Sequence, residues 1–185
     1  MKFISFLIII FITFPSTIKA DSSKELEKEL LKGDKLIFIR HAYAPGGGDP
    51  DNFDINDCNT QRNLSDRGKK QAHKIKNFFT ENKIQNNLVF SSEWCRCKET
   101  ASLAFGKYET KKFLNSFYSS KFAKNKIKQI KDLKRYVKSY DDNKNLIFVT
   151  HYVVISEVLD YAPSSGEIVV SDKNFNKIGS IKIIY

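Results

Sequence analysis

Of the three histidines in the chain, His41 and His151 each follow directly on an apolar run and one polar residue. Leu36–Ile39 leads into Arg40 and His41, and Leu146–Val149 into Thr150 and His151; Leu88–Phe90 leads into a turn that presents Arg96. In open α/β sheets ligands gather beyond the carboxyl ends of strands, so these residues would converge on one crevice. Arginine offers a planar fork of donors that matches phosphate oxygens. A neutral imidazole can attack phosphorus, while a second, protonated imidazole donates to a nonbridging oxygen as charge builds there. The chemistry implied is phosphoryl transfer through a phosphohistidine, which requires neither a metal nor an organic cofactor. Either histidine alone would read as a satisfied structural residue; their shared placement with two arginines favours chemistry. His73 borders the apolar face of a lysine-rich helix and reads as a surface residue.

Those positions need strands that end together and helices that cover them. The continuous apolar runs Leu36–Ile39 and Leu146–Val149 fit strands buried on both faces of a parallel sheet. After a long loop, residues 44–63, Ser65 can cap a helix in which Gly68, Ala72, Ile75 and Phe79 share one face, small enough at its start to approach a sheet closely. A helix is expected from about Glu93 or Trp94, with Trp94 packing the loop. Residues 114–120 are ambiguous. Residues 123–140 form an amphipathic helix through Ile127, Ile130, Leu133 and Val137, and "EIVVS" and "SIKIIY" supply closing strands. A short charged helix, residues 24–32, precedes the first strand. The alternation implies an α/β fold, a three-layer sandwich around a mostly parallel central sheet.

Residues 1–20 read as a secretory signal peptide: Lys2, the apolar run Phe3–Phe14, then a polar stretch ending in Ala20. The apolar run is short for a membrane span, and no later segment qualifies as one. Residues 21–185 have the size of one domain, and a periplasmic or secreted location is expected. Removing Lys2 and Lys19 takes the formal charge from +10 to +8. The lysines are spread along the chain, which favours a solubility role over a binding field, and nothing matches a nucleic-acid-binding motif. Cys58, Cys95 and Cys97 in an oxidising setting point to a disulfide; a Cys-x-Cys with one distant partner and no nearby histidine is a poor zinc site.

"RHAYAPGGGDP", "QRNLSDRGKKQA", "SSEWCRCKETA" and "VTHYVVI" resemble, in order, the motifs of the histidine phosphatase superfamily, which has the phosphoglycerate mutase-like fold. The likeness runs from about Leu36 to Val170. It implies His41 as nucleophile, Arg40 and Arg96 as phosphate holders, His151 as completing the pocket, and Arg62 as a substrate contact. The finer pattern, including "CNTQRNL", "WCRC", "LNSF" and "SGEIVV", is similar to an exported bacterial subgroup that includes lipopolysaccharide core heptose(II)-phosphate phosphatase. One departure stands out. Many members protonate the leaving oxygen with an Asp after the second histidine or a Glu after the second-arginine motif; here Tyr152 follows His151, and "LNSFYSS" holds no acid. Asp49 is the candidate donor, with a turn-forming Asp before Pro50 as the competing reading. A bond from Cys58 to Cys95 or Cys97 would tie together the segments carrying Arg62 and Arg96 and preorganise the site.

The expected activity is hydrolysis of a phosphomonoester, either a small phosphorylated substrate or a phosphorylated envelope glycan such as a lipopolysaccharide sugar. Two alternatives are a phosphohistidine or other phosphoramidate phosphatase, and a catalytically weak phosphate-binding envelope protein.

Overall fold

The computed structural model describes residues 22–85 and 87–185; the expected signal peptide lies outside the described residues. Along the chain run α1 (Ser22–Leu31), β1 (Leu36–Arg40), α2 (Asp66–Glu81), β2 (Asn87–Ser91), α3 (Cys95–Phe105), β3 (Glu109–Thr110), α4 (Ser120–Ala123), α5 (Lys126–Ser139), β4 (Asn145–Thr150), α6 (Tyr152–Leu159), β5 (Ile168–Ser171) and β6 (Lys177–Ile181). Among the described residues the strands form one six-stranded sheet in the order β3-β2-β4-β1-β5-β6. β1 to β4 pair in parallel, while β5 joins β1, and β6 joins β5, in antiparallel fashion.

The strands alternate between two apolar layers because successive side chains point to opposite faces. Ile37, Ile39, Ile147 and Val149 pack with Leu26 and Leu30 of α1, Ile75 and Phe79 of α2, and Ala101 of α3. Leu36, Phe38, Leu146 and Phe148 pack with Leu133 and Val137 of α5 and Val154, Ile155 and Val158 of α6. The result is the α/β three-layer sandwich implied by the alternation. Among the described residues no helix is long and apolar enough to cross a membrane.

The Ser65 hydroxyl caps α2 by accepting from the Gly68 amide. At Gly68 the helix presses on the loop beyond His41: a Cβ there would stand 2.0 Å from the Tyr43 carbonyl oxygen, which is backbone and cannot turn aside. Gly68→Ala is therefore expected to destabilise the protein by about 1–3 kcal/mol, as overpacking does. A lower midpoint in chemical denaturation is the measure, and an unchanged midpoint would show that the loop yields freely.

Two sequence expectations need correction. The last strand is Lys177–Ile181, not the apolar "SIKIIY", because a tight turn sets the register. Asp172 Oδ1 accepts from the amides of Asn174 and Asn176 and places Lys177 opposite Ser171. The ambiguous stretch 114–120 ends in the short helix α4, so α5 begins at Lys126 rather than at residue 123. Eight lysines and arginines lie between Lys121 and Lys138 with one acid, Asp132, which Lys128 and Arg135 share at 2.6 and 3.0 Å. The first of them, Lys121, lines the cleft described next.

Candidate active site

Sheet register brings the two histidines together. Arg40 pairs with Thr150 across β1 and β4, so His41 and His151 are the first residues beyond adjacent parallel strands. The His41 amide donates to the Thr150 carbonyl at 2.9 Å, and the imidazole centroids lie 5.5 Å apart. One strand further, Ser91 pairs with Val149, so Ser92 falls level with Thr150 and next to His151. Arg96 lies in the first turn of α3, and Thr100, one turn on, locks that helix to the loop. Its hydroxyl accepts from the Ala42 amide at 3.0 Å and donates to the Arg96 carbonyl at 2.7 Å. The four-residue spacing from Arg96 to Thr100 is thus one helical turn carrying two jobs.

The His41 tautomer follows from its partners. Nδ1 lies 2.9 Å from the Ala42 carbonyl, which can only accept, so Nδ1 carries the hydrogen and Nε2 the lone pair. Arg96 Nε donates to that lone pair at 3.2 Å. His41 is 2 % exposed, and burial, followed by the Arg96 charge, holds its pKa well below the usual histidine value. It is a neutral imidazole with its lone pair turned toward a guanidinium.

His151 is set by a chain of hydrogen bonds that the sequence did not announce. Asn115 Nδ2 donates to Glu93 Oε2 at 2.6 Å, which orients its carbonyl oxygen to accept from the Glu93 amide and the Ser92 hydroxyl. With its hydrogen so committed, Ser92 Oγ accepts from His151 Nε2 at 3.0 Å, leaving Nδ1 to the cleft. Burial, then the charge of Arg96, lower the His151 pKa strongly. The ring is neutral in this arrangement. Cys97 Sγ sits 3.5 Å from His151 Nε2, and burial pushes that thiol up to about 12, so it stays protonated.

The arginines differ in what they leave open. Arg40 Nη1 donates to the Pro163 carbonyl at 2.9 Å, and its guanidinium lies over the Tyr152 ring at 5.2 Å. Arg62 Nη1 donates to the carbonyls of Ala44 and Gly46. Each keeps a buried Nε without a partner. Burial and then the Arg96 charge lower the pKa of Arg62, and the same two causes act at Arg40 against Tyr152. Clustered guanidiniums with free donors are a receptor for an oxyanion.

Arg96 is occupied. Its Nη1 and Nη2 donate to Asp49 Oδ1 and Oδ2 at 2.6 and 3.2 Å. The Trp94 indole donates to Oδ2 at 3.0 Å and the Arg62 amide to Oδ1 at 3.1 Å. Burial raises the Asp49 pKa, but these donors outweigh it and hold the carboxyl below its ordinary value. Asp49 is therefore in the site and ionised, so in this arrangement it has no proton to donate at neutral pH.

All six residues that the sequence singled out for chemistry, Arg40, His41, Asp49, Arg62, Arg96 and His151, line one cleft of about 520 Å³. Its outer wall, from Tyr118, Lys121 and Phe122, comes from the aperiodic segment before α5, where the absence of any hydrophobic period was the only available signal. Trp94 is 3 % exposed and stacks on Phe53 at 5.1 Å, so it packs the loop and also bonds Asp49. His73 is exposed. Cys58 pairs with Cys95, and Cys97 is free and buried. Among the described residues no three His, Cys, Asp or Glu side chains come together as metal ligands.

Solved structures share this architecture. An Agrobacterium tumefaciens protein assigned as the phosphohistidine phosphatase SixA superposes with a TM-score of 0.57 at 15 % identity, over 81 % of this chain and 98 % of its own. The chain has the histidine phosphatase fold. The protein histidine phosphatase SixA complexed with tungstate matches with a TM-score of 0.51 at 14 % identity, over 77 % of this chain and 92 % of that one. The product of the Mycobacterium tuberculosis open reading frame Rv3214 gives 0.54 at 15 %, over 74 % and 89 %. No family model and no curated protein matches the sequence. At these identities the histidine phosphatase fold is what is shared.

Proposed function

We propose that the protein is a phosphatase that works through a phosphohistidine on His41. The observation that carries this reading is the Nε2 lone pair of a neutral, buried His41 beside Arg96, in a cleft that Arg40 and Arg62 also line. Nε2 attacks phosphorus as the bond to the leaving group breaks, and the leaving group departs with the bonding pair and takes a proton from solvent. Water then attacks the phosphoryl group, the P–N bond breaks, and Nε2 recovers its electron pair. The arginines hold the nonbridging oxygens. His151, protonated as the anion enters, donates from Nδ1 as charge builds in each transition state.

Two substrate classes are each favoured by a separate observation. A phosphoramidate such as phosphohistidine fits the free site, where the carboxyl nearest the seat is ionised and Tyr152 follows the second histidine. The nitrogen of a phosphoramidate is basic enough to be protonated before the P–N bond breaks, so it leaves neutral and makes less demand for an acid than an ester oxygen, which otherwise leaves as an alkoxide. The SixA proteins of the same fold carry that activity in their names. A phosphomonoester on an envelope sugar is favoured by the sequence pattern and by export, which the Phe3–Phe14 run and the Cys58–Cys95 disulfide support. The test is a panel of sugar phosphates and a phosphoramidate, read by phosphate release. Turnover of the phosphoramidate alone favours the first class and turnover of esters the second. Phosphate affinity without turnover would reduce the protein to a binding module.

A further inference from the structure

Asp49 stands where a substrate anion should. Its two oxygens take the guanidinium fork of Arg96, the Trp94 indole N–H and the Arg62 amide, four donors converging on one carboxylate. Arg96 is 3 % exposed and also touches His41 Nε2 through Nε, so this is the guanidinium next to the attacking nitrogen. A phosphoryl group close enough for His41 to attack needs the same fork.

We propose that Asp49 is an internal anion that occupies the phosphate seat of the free protein and is exchanged for the substrate phosphate. The segment that carries it is built to move. Gly46 and Gly48 have φ of +95° and +78°, values that L side chains rarely adopt, and a Cβ on Gly47 or Gly48 would meet nothing within 4 Å. Gly46 is tied through its carbonyl to Arg62, so Gly47 and Gly48 are the links that give Asp49 backbone freedom few other residues allow. In the exchange Arg96 gives up two N–H···O bonds to carboxylate and regains them from phosphate. The Trp94 and Arg62 N–H groups pass to the incoming oxygens, and the guanidiniums of Arg40 and Arg62, which line the cleft, supply donors that Asp49 does not use. A phosphate dianion uses more of these donors than the carboxylate does. A monoanionic ligand such as a carboxylate or a sulfate monoester gains less by replacing Asp49. The exchange thus selects for dianions, and it keeps the guanidinium beside His41 paired while the cleft is empty.

This rests on the phosphate-handling reading above, and binding separates the two. Tungstate, a tetrahedral dianion, is titrated by calorimetry into the full chain and into Asp49→Asn, which keeps the shape and loses the charge. If the seated carboxylate competes with ligand in 90–99 % of molecules, apparent affinity is reduced about tenfold to a hundredfold, and Asp49→Asn recovers that factor. A permanent buttress for Arg96 predicts the reverse. Equal or weaker binding by Asp49→Asn, with wild type binding normally, would overturn the exchange and leave the phosphate reading standing. No binding by either protein would remove both. A crystal structure of the wild type with tungstate gives a second readout independent of the variant's folding: Asp49 should have left Arg96, and finding it still in the fork beside the bound ion would refute the proposal.

Discussion

Replacing His41 with alanine is expected to lower turnover of any accepted substrate by a factor on the order of 10⁴–10⁶, the range found when a covalent nucleophile is removed from an otherwise intact site. The loss belongs almost wholly to kcat, because Arg40 and Arg62 are anchored by contacts that do not involve the imidazole, and Arg96, which loses its Nε bond to His41, keeps its place on α3. Arg40 is held by Pro163, Arg62 by Ala44 and Gly46, and α3 by Thr100. Tungstate affinity should therefore change little in the same variant. The covalent claim has its own measurement: wild-type protein quenched during turnover should carry acid-labile phosphate on His41, and His41→Ala none. Turnover within tenfold of wild type, or label on another residue, would transfer the nucleophile's role elsewhere. His151→Ala makes the contrast. It removes a donor to the phosphoryl oxygens and leaves the nucleophile, so labelling persists while both chemical steps slow.

The parts of the site that could be read from the sequence are those fixed by local rules. A buried parallel strand shows as an unbroken apolar run, and β1 and β4 pair in register, so the residues after two such runs must meet. Arg96 and Thr100 sit one helical turn apart, a spacing visible in one dimension. Other features depend on contacts that no period records. Asp49 meets Arg96 across 47 positions, and its charge state follows from the Arg96 fork rather than from its place before Pro50. The Glu93–Asn115–Ser92 chain that sets the His151 tautomer joins the residue pair before α3 to a stretch with no hydrophobic period. The same limit applies to β6, whose register is set by Asp172 in a turn and not by the apolarity of Ile181–Tyr185.

The cysteines carry the second large expected effect. Cys58 and Cys95 are 37 positions apart with a Cα–Cα distance of 5.7 Å, so the bond closes a long loop in the unfolded chain. A loop of that length corresponds to about 3–4 kcal/mol of stabilisation by the chain-entropy estimate, and replacing both cysteines with alanine should lower the melting temperature by about 10 °C. The loss should also reach the site. Cys58 opens the short turn Cys58–Thr60 ahead of Arg62, and Cys95 directly precedes Arg96, so the bond fixes the segments of two phosphate donors against each other. Two direct ties survive its removal, the hydrogen bonds from the Cys95 amide to Gln61 Oε1 at 2.9 Å and from Arg96 Nη1 to the Arg62 carbonyl at 3.3 Å. The segments should therefore loosen without separating, and oxyanion affinity should fall by a smaller factor than stability. Reductant should reproduce both effects in wild type and do nothing further to the double variant. Cys97→Ala, which removes a buried protonated thiol outside the bond, should respond to reductant as wild type does. A denaturation midpoint unmoved by reductant in the wild-type protein would show that the loop is held by its packing, with Trp94 on Phe53 the foremost contact, and that the disulfide adds nothing to it.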